Sequence, residues 1–325
     1  MCLKKRTTAC SEEETMKKET KIAPVILLLS ACLLLSSCGV FMETVPAGMI
    51  LSPDANDHVV TINDIRYHYR EYPGPGKDIL LIHGFGSSTY TWEQVAPILS
   101  DAGYHVWALD MKGFGWSDKP RGSDYDPVTL AREVNAWLET MGIERPVIAG
   151  NSLGGAIGII LAVDHPENVD RLVLIDSAGY RLKAPLIIRV MNSGPGAFVM
   201  KWTFGRWLVK GNLKMVFVNQ ELVTNEGIDA YYDRLRTEGA RDAQTAVSRA
   251  ILKYATDPYI EKLSVIAAPT RIIWGAQDQW IPLEHAYRFQ KDIPGADLKV
   301  IPECGHVPQE ERPETTAQLI QEFLK

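Results

Sequence analysis

Residues 146–156 of this 325-residue chain read Pro-Val-Ile-Ala-Gly-Asn-Ser-Leu-Gly-Gly-Ala. The pattern predicts a short apolar strand, a Gly-x-Ser-x-Gly turn and an apolar helix of small residues over 154–163. A serine on so sharp a turn is held in a sparsely used backbone region, and Gly150 and Gly154 are needed because side chains there would collide. The turn presents the Ser152 hydroxyl at the positive end of the helix, where a developing oxyanion is stabilised.

Strands and helices alternate on both sides of this turn. The alternation predicts a mostly parallel sheet covered by helices on both faces, with ligands at the carboxyl ends of the strands. Over residues 177–264 the alternation stops, and the segment predicts several inserted helices that form a lid. The core is therefore divided into residues 57–176 and 265–325. Besides the strand before Ser152, we predict strands at 58–63, 65–72, 78–82, 104–109, 171–175, 270–274 and 297–301, and helices at 91–100 and 127–141.

The composition is that of an ordinary globular protein, with 46% hydrophobic and 23% charged residues. The length suits one large α/β domain or a domain with an insertion. A net charge of −6 argues against nucleic acid as a partner. No Gly-x-Gly-x-x-Gly follows the first strand and no Cys/His cluster has zinc spacing, so we expect neither a cofactor nor a metal.

The N-terminus, residues 1–37, is predicted to be a targeting segment rather than part of the fold. Residues 22–35 form an apolar run that follows three lysines and is too short to span a bilayer comfortably. The run leads into Leu-Ser-Ser-Cys-Gly, which resembles a bacterial lipobox whose cysteine, Cys38, is lipidated and becomes the first mature residue. The alternatives are an ordinary secretory signal and an uncleaved anchor. Residues 1–15 fit poorly before such a signal, so Met16 is the expected start.

Cleavage before Cys38 would leave an exported protein that is anchored by lipid to the membrane of a bacterial cell envelope. Residues 38–56 would then form a flexible tether. The mature chain would carry 28 Lys and Arg against 36 Asp and Glu, a net charge of −8, and its cysteines would be Cys38 and Cys304. With Cys38 lipidated, no intrachain disulfide is possible.

A serine nucleophile needs a base to take its proton and an acid to orient that base. Asp278 and His306 each lie just beyond one of the last two predicted strands, in the expected chain order of serine, aspartate and histidine. Asp176, at the end of the strand that follows the serine helix, is the rival candidate for the acid. His83 precedes the serine and lies on another strand, so we interpret it as structural.

An oxyanion hole needs two backbone N–H donors aimed at the developing charge. The amide of Leu153, directly after the serine, is the first candidate. The loop His83-Gly84-Phe85-Gly86 closes the strand at 78–82, and Phe85 is the expected second donor. Losing one such donor typically costs about 3 kcal/mol of transition-state stabilisation.

Four motifs are spaced along the core: HGFG at 83–86, LDMKGFGWSD at 109–118, GNSLGG at 150–155 and GHVP at 305–308. Together they resemble the α/β-hydrolase superfamily, in the branch of serine esterases, meta-cleavage-product hydrolases and epoxide hydrolases. The resemblance covers residues 57–325 apart from the lid and implies an α/β-hydrolase fold. Epoxide hydrolases use an aspartate where this chain has Ser152, which disfavours their activity here. Meta-cleavage enzymes usually carry a tryptophan where this chain has Val307.

The resemblance implies a serine hydrolase, and we expect a carboxylic-ester hydrolase for small to medium apolar esters. Its triad would be Ser152, His306 and Asp278, its intermediate an acyl-enzyme, and no cofactor would be needed. A carbon–carbon hydrolase of the meta-cleavage type or a thioesterase would use the same residues. A catalytically silent binding scaffold is the non-enzymatic alternative.

The lid carries an unusual charge pattern. Residues 181–214 hold seven Lys or Arg and no Asp or Glu, although the chain as a whole is acidic. Arg206, Lys210 and Lys214 are spaced to share one helical face, with Trp207 among their apolar neighbours. This pattern is typical of a helix at a lipid interface, which predicts a second membrane contact. The alternative is a lid helix with its apolar side over the pocket and its basic side in water.

Overall fold

The computed structural model describes residues 44–181, 193, 205–253 and 257–325. Apart from Gly205, these residues all belong to one compact unit. The predicted signal segment with Met16 and Cys38, the start of the predicted tether and much of the basic segment lie outside the described residues. No helix among the described residues is long and apolar enough to cross a membrane.

Eight strands form one sheet. They are β1 Asp57–Ile62, β2 Ile65–Tyr72, β3 Asp78–Ile82, β4 His105–Leu109, β5 Val147–Asn151, β6 Arg171–Ile175, β7 Thr270–Gly275 and β8 Asp297–Ile301. Their order in the sheet is β1-β2-β4-β3-β5-β6-β7-β8. The pairs β1/β2 and β2/β4 are antiparallel, and every later pair is parallel. The mostly parallel sheet predicted from the alternation is therefore confirmed.

Helices cover both faces of the sheet. The α-helices of the described chain are α1 Val95–Asp101, α2 Pro127–Met141, α3 Leu153–Asp164, α4 Arg206–Val216, α5 Asn225–Leu235, α6 Ala240–Lys253, α7 Asp257–Ile260, α8 Glu284–Asp292, α9 Pro308–Glu311 and α10 Pro313–Leu324. Alternate residues of a strand point to opposite faces. Leu81 of β3 accordingly packs in a cluster with side chains of α1 and α10, whereas Leu80 packs with side chains of α2, α3 and α8.

The helices α4 to α7 lie in the chain between β6 and β7, within the segment predicted as an insertion. The parallel strands β3, β5, β6, β7 and β8 all end at the same edge of the sheet, because parallel strands share one direction. The candidate residues follow these five strand ends: Phe85, Ser152, Asp176, Asp278 and His306. The fold therefore brings them to one edge, as the strand–loop pattern predicted.

The helix predicted at 91–100 is divided. The structure has a short 3-10 helix, Thr89–Trp92, followed by α1, which begins only at Val95. Pro97 explains the break, because its ring would clash with the carbonyl of residue 93 if the helix continued upstream.

The predicted tether also differs from the structure near residue 45. The Val45 amide donates to the Arg236 carbonyl at 3.0 Å, and the Val45 carbonyl accepts from the Glu238 amide at 2.8 Å. The Val45 side chain is 4% exposed. This part of the segment is therefore docked on the inserted helices, because an apolar residue and its backbone groups find partners there.

Candidate active site

Ser152 forms the sharp turn between β5 and α3. Its φ of 52° and ψ of −114° lie in a region that residues with a side chain rarely adopt. The Ser152 amide donates to the Ile175 carbonyl at 3.0 Å, and its carbonyl accepts from the Ala178 amide at 2.9 Å. The end of β6 and the residues after it therefore hold the strained turn in place.

Close contacts explain the glycines around this turn. A Cβ atom on Gly154 would lie 2.1 Å from the carbonyl oxygen of Ile82, and one on Gly150 would lie 2.3 Å from the carbonyl carbon of Gly154. A Cβ atom on Gly84 would lie 3.2 Å from the Ser152 Cβ. The absence of side chains lets the strand, the helix and the loop after β3 converge on Ser152.

His306 and Asp278 form the hydrogen bond that the sequence predicts. The His306 Nδ1 lies 2.7 Å from Asp278 Oδ2. The other oxygen of Asp278 accepts from the amides of Trp280 at 2.7 Å and Ile281 at 3.1 Å. The Asp278 carboxylate is fully shielded from solvent. Three hydrogen bonds therefore hold this carboxylate in place. The carboxylate in turn orients the imidazole through Nδ1, and Nε2 is the ring nitrogen that remains.

The backbone of His306 is held from two further sides. Its amide donates to the Val216 carbonyl at 2.9 Å, at the end of α4. Its carbonyl accepts from the Asn151 side-chain amide at 3.0 Å. The same Asn151 nitrogen lies 3.2 Å from the Ile175 carbonyl. Asn151, the residue before the serine, therefore links the turn to the histidine loop.

Among the described residues, the hydrogen bond to His306 Nδ1 is made by Asp278 and not by Asp176. The Asp176 carboxyl accepts from the Gly275 amide at 3.0 Å. Burial, together with the neighbouring Asp278 carboxylate, raises the pKa of Asp176 well above its usual range. The raised pKa favours the protonated form of Asp176, and we propose Asp278, which forms the hydrogen bond to His306, as the acid of the triad.

In the described part of the chain, Asp176, Asp278 and His306 also form a group whose potential ligand atoms lie within 4.8 Å of one another, the spacing that a metal ion needs. The hydrogen bonds just described engage all three side chains. Their arrangement suits the positioning of a proton on the imidazole.

The two predicted oxyanion donors are Leu153, which directly follows Ser152, and Phe85, which follows Gly84 in the loop that approaches the Ser152 side chain. Leu153 is the first residue of α3, and the first amides of a helix have no acceptor within it. The Phe85 amide donates to no acceptor among the described residues. Both amides are available to a substrate oxygen, which an oxyanion hole requires.

His83 is part of the support for this loop. The Met111 amide donates to its Nε2 at 3.2 Å, so the proton is on Nδ1, which donates to the Gly84 carbonyl at 2.8 Å. Burial lowers the pKa of His83 and favours the neutral ring. These contacts agree with a structural interpretation.

A second polar group, which the sequence did not reveal, joins the insertion to the core. The Tyr231 hydroxyl of α5 bonds to Glu310 and lies 3.3 Å from the Ser87 hydroxyl, two residues after Phe85. The Thr91 hydroxyl bonds to the same Glu310 oxygen. Burial raises the pKa of Glu310. These residues are far apart in sequence and belong to no motif, so only the folded chain shows their association.

The sheet order, the strained serine turn and the strand-end residues define a hydrolase with the α/β-hydrolase fold. The family model described as alpha/beta hydrolase fold matches residues 78–313, and the chain belongs to this family. An uncharacterised hydrolase of Bacillus subtilis, YugF, is 32% identical over 82% of this chain and 96% of its own length.

Two solved structures are also similar. A meta-cleavage product hydrolase from Pseudomonas fluorescens has a TM-score of 0.73 and 28% identity, covering 82% of this chain and 97% of its own. A membrane phospholipase A, described as a bacterial virulence factor, has a TM-score of 0.71 and 30% identity, covering 94% of this chain and 98% of its own.

The assignment of the two carboxyl groups predicts different effects of removing each charge. Asp176→Asn replaces one neutral group with another and should leave kcat nearly unchanged. Asp278→Asn should lower kcat by roughly 10³- to 10⁴-fold, since the imidazole loses the carboxylate that sets its tautomer. Steady-state kinetics of ester hydrolysis compares the two. An equal loss in both variants would contradict the assignment.

The Asp176→Asn substitution also predicts a change in the stability of the protein. Because the pKa of Asp176 is raised in the folded state, its stabilising contribution is present at low pH and is lost as the pH rises through that pKa. Wild type should therefore become progressively less stable than Asp176→Asn as the pH rises above about 4. Thermal unfolding of both proteins over a pH series measures the difference.

Proposed function

We propose that the protein is a serine hydrolase that cleaves carboxylic esters through an acyl-enzyme. The observation that carries the proposal is the 2.7 Å hydrogen bond from His306 to the buried Asp278, at the sheet edge that also bears the strained Ser152. A histidine oriented in this way suits a general base for a serine hydroxyl.

In the proposed reaction His306 takes the proton of Ser152 as the serine oxygen attacks the ester carbonyl. The amides of Leu153 and Phe85 stabilise the negative oxygen of the tetrahedral intermediate. His306 then gives its proton to the leaving alcohol. Water repeats the cycle on the acyl-enzyme, and Asp278 holds the imidazole in the required tautomer throughout.

A carbon–carbon hydrolase is the second candidate, because the similar structure from Pseudomonas fluorescens is a meta-cleavage product hydrolase. Two observations favour ester cleavage. Val307 follows the histidine, where the meta-cleavage enzymes usually carry tryptophan. The membrane phospholipase A is 30% identical and matches more of this chain. A thioester would pass through the same steps, and a silent scaffold would use none of them.

Replacement of the proposed nucleophile tests the activity. Ser152→Ala should abolish hydrolysis of 4-nitrophenyl esters and labelling by a fluorophosphonate probe, while the far-ultraviolet circular dichroism stays that of wild type. A panel of esters, thioesters and meta-cleavage products then ranks the substrate classes by kcat/KM. Retained turnover in Ser152→Ala, or a preference for the carbon–carbon substrate, would contradict the proposal.

We further propose that the chain is exported and anchored to the envelope membrane by lipid on Cys38. The support is the apolar run that ends in the lipobox-like sequence, and the similarity to a phospholipase described as a membrane protein. That similarity covers 94% of the chain, which is more than residues 57–325 alone.

Substitution of the proposed lipidation site tests the anchor. The wild-type chain should incorporate a labelled fatty acid and sediment with membranes, whereas Cys38→Ser should incorporate none. Cys304→Ser is the matched control, since Cys304 is buried and should not affect labelling. Equal labelling of wild type and Cys38→Ser would exclude this anchor.

The exposed face of α4 supports a second membrane contact. Trp207 is 65% exposed and Met215 is 44% exposed, while Val209 and Leu213 of the same helix are buried. Lys210 and Lys214 lie on the exposed side and form no ion pair with a described residue. Apolar side chains interleaved with free cations suit the surface of an anionic bilayer. We propose that α4 docks there.

Charge reversal on α4 tests this contact in the chain that begins at residue 39. Each lysine near an anionic surface contributes about 1 kcal/mol, so Lys210→Glu with Lys214→Glu should weaken vesicle binding at least roughly tenfold. Lys291→Glu on α8 is the control, since it changes charge away from α4. Sedimentation with anionic and neutral vesicles measures the binding. Equal, weak binding to both would contradict the proposal.

A further inference from the structure

Glu311, the last residue of α9, places a carboxylate between the histidine loop and the inserted segment. The residue is buried, with an exposure of 3%. Its Oε2 accepts from the amide of Gly305, the residue directly before His306, at 2.7 Å. Its Oε1 accepts from the Asn219 amide at 2.6 Å, shortly after the end of α4. One side chain therefore joins the catalytic loop to a segment 92 residues away in sequence.

The same two segments also meet directly. The His306 amide donates to the Val216 carbonyl at 2.9 Å. A Cβ atom on Gly305 would lie 2.2 Å from the Val216 carbonyl oxygen and 3.2 Å from Glu311 Oε2. The absence of a side chain at Gly305 therefore allows two successive amides to find acceptors, the first on Glu311 and the second on Val216.

The chemistry of this bridge calls for a carboxylate. Both partners are N–H donors, and an ionised carboxyl group offers an acceptor on each of its oxygens. A glutamine of equal length would turn its NH2 group towards one of the amides, so that donor would face donor. The guanidinium of Arg312, the next residue, donates to the Glu303 carbonyl at 3.0 Å. The backbone amides thus compensate the burial of Glu311, and the carboxylate fixes their positions in return.

We propose that Glu311 is a positioning residue, which sets the place of His306 through the Gly305 amide. The inference rests on the proposed triad of Ser152, His306 and Asp278. Asp278 orients the imidazole at Nδ1, whereas Glu311 holds the backbone from which that side chain extends. A displacement of about 1 Å in a reacting group can cost roughly a hundredfold in rate. A loosened histidine loop should therefore slow proton transfer from Ser152.

Glu311→Gln tests the bridge in the complete protein. For a 4-nitrophenyl ester, kcat should fall by roughly ten- to a hundredfold. KM should stay nearly unchanged, because the substitution reaches the substrate only through His306. Glu314→Gln is the matched control, since it removes the same charge at an exposed position of α10 and should leave kcat unchanged. An unchanged kcat in Glu311→Gln, or a loss confined to KM, would overturn the inference.

Variants of the inserted segment test the other end of the bridge while Glu311 stays intact. Asn219→Pro removes the amide donor, and the φ of −80° at this position suits proline. Asn219→Ala is its control, because it keeps the amide and loses the same side-chain bond to the Glu221 amide. We expect a lower kcat in Asn219→Pro and the wild-type kcat in Asn219→Ala. Equal kcat values in these two variants would contradict the bridge.

Combination of the two substitutions makes the test specific to this contact. Glu311→Gln should cost less in the Asn219→Pro background than in wild type, because no amide of residue 219 then faces the NH2 group. Residues in direct contact show such non-additive effects, whereas independent sites do not. Equal costs of Glu311→Gln in both backgrounds would show that the two ends act separately.

Proton NMR reports the position of the imidazole without turnover. The proton on His306 Nδ1 that bonds to Asp278 should give a far-downfield resonance, identified by its loss in His306→Gln. Glu311→Gln and Asn219→Pro should shift or broaden this resonance, whereas Glu314→Gln and Asn219→Ala should not. A contact that only stabilises the fold would lower the melting temperature and leave both the resonance and kcat unchanged, and that result would overturn the positioning role.

The outcomes also separate this inference from the proposed ester hydrolysis. Labelling of Ser152 by a fluorophosphonate depends on the base and not on the bond that the protein cleaves. Slower labelling in Glu311→Gln would support the positioning role even if wild type hydrolysed no ester. If wild type showed neither hydrolysis nor labelling, the Nδ1 resonance would still decide. An unchanged resonance in Glu311→Gln would then refute the role.

Discussion

The strained backbone of Ser152 is the constraint on which the site depends. A positive φ at a residue with a side chain costs about 1–3 kcal/mol, and such a conformation persists only where the surroundings enforce it. Here Ile175 at the end of β6 accepts from the serine amide, and Ala178, three residues beyond β6, donates to the serine carbonyl. Glycines remove the side chains that would keep β5 and α3 apart. The same closure puts the Leu153 amide and the serine hydroxyl at the start of one helix. Relief of the strain would separate the hydroxyl from its proposed oxyanion donors.

Two carboxyl groups behind the imidazole have different roles because their surroundings differ. Asp278 accepts hydrogen bonds from two backbone amides and is paired with His306. Asp176 accepts a hydrogen bond from one amide and lies fully buried beside Asp278. Burial and the neighbouring Asp278 carboxylate raise the pKa of Asp176. Two neighbouring carboxylates that are shielded from solvent and have no cation between them would repel each other strongly. Protonation of Asp176, which its raised pKa favours, removes this repulsion beside His306.

The sequence predicts the sheet and the residues at its edge because those signals are local. Each candidate residue follows a short apolar strand, and the chain direction then places Ser152, Asp278 and His306 together. The supports could not be predicted in this way. Asn151 occupies a variable position of its motif and contacts a carbonyl 155 residues away. Val216 uses its backbone carbonyl, which any residue could supply. The choice between Asp176 and Asp278 depends on burial, which the pattern alone does not give.

The inserted segment contributes to the position of His306 and also contacts the loop that follows Phe85. The carbonyl of the last residue of α4 accepts a hydrogen bond from the His306 amide. Arg234 of α5 lies beside the loop that carries the proposed oxyanion donor. We therefore expect a change in this segment to alter the alignment of the proposed base as well as the substrate preference. The similar structures include a meta-cleavage product hydrolase and a phospholipase, so the fold alone does not determine which bond is cleaved. We propose that the strand ends supply the residues of the triad and that the inserted segment helps to select the substrate.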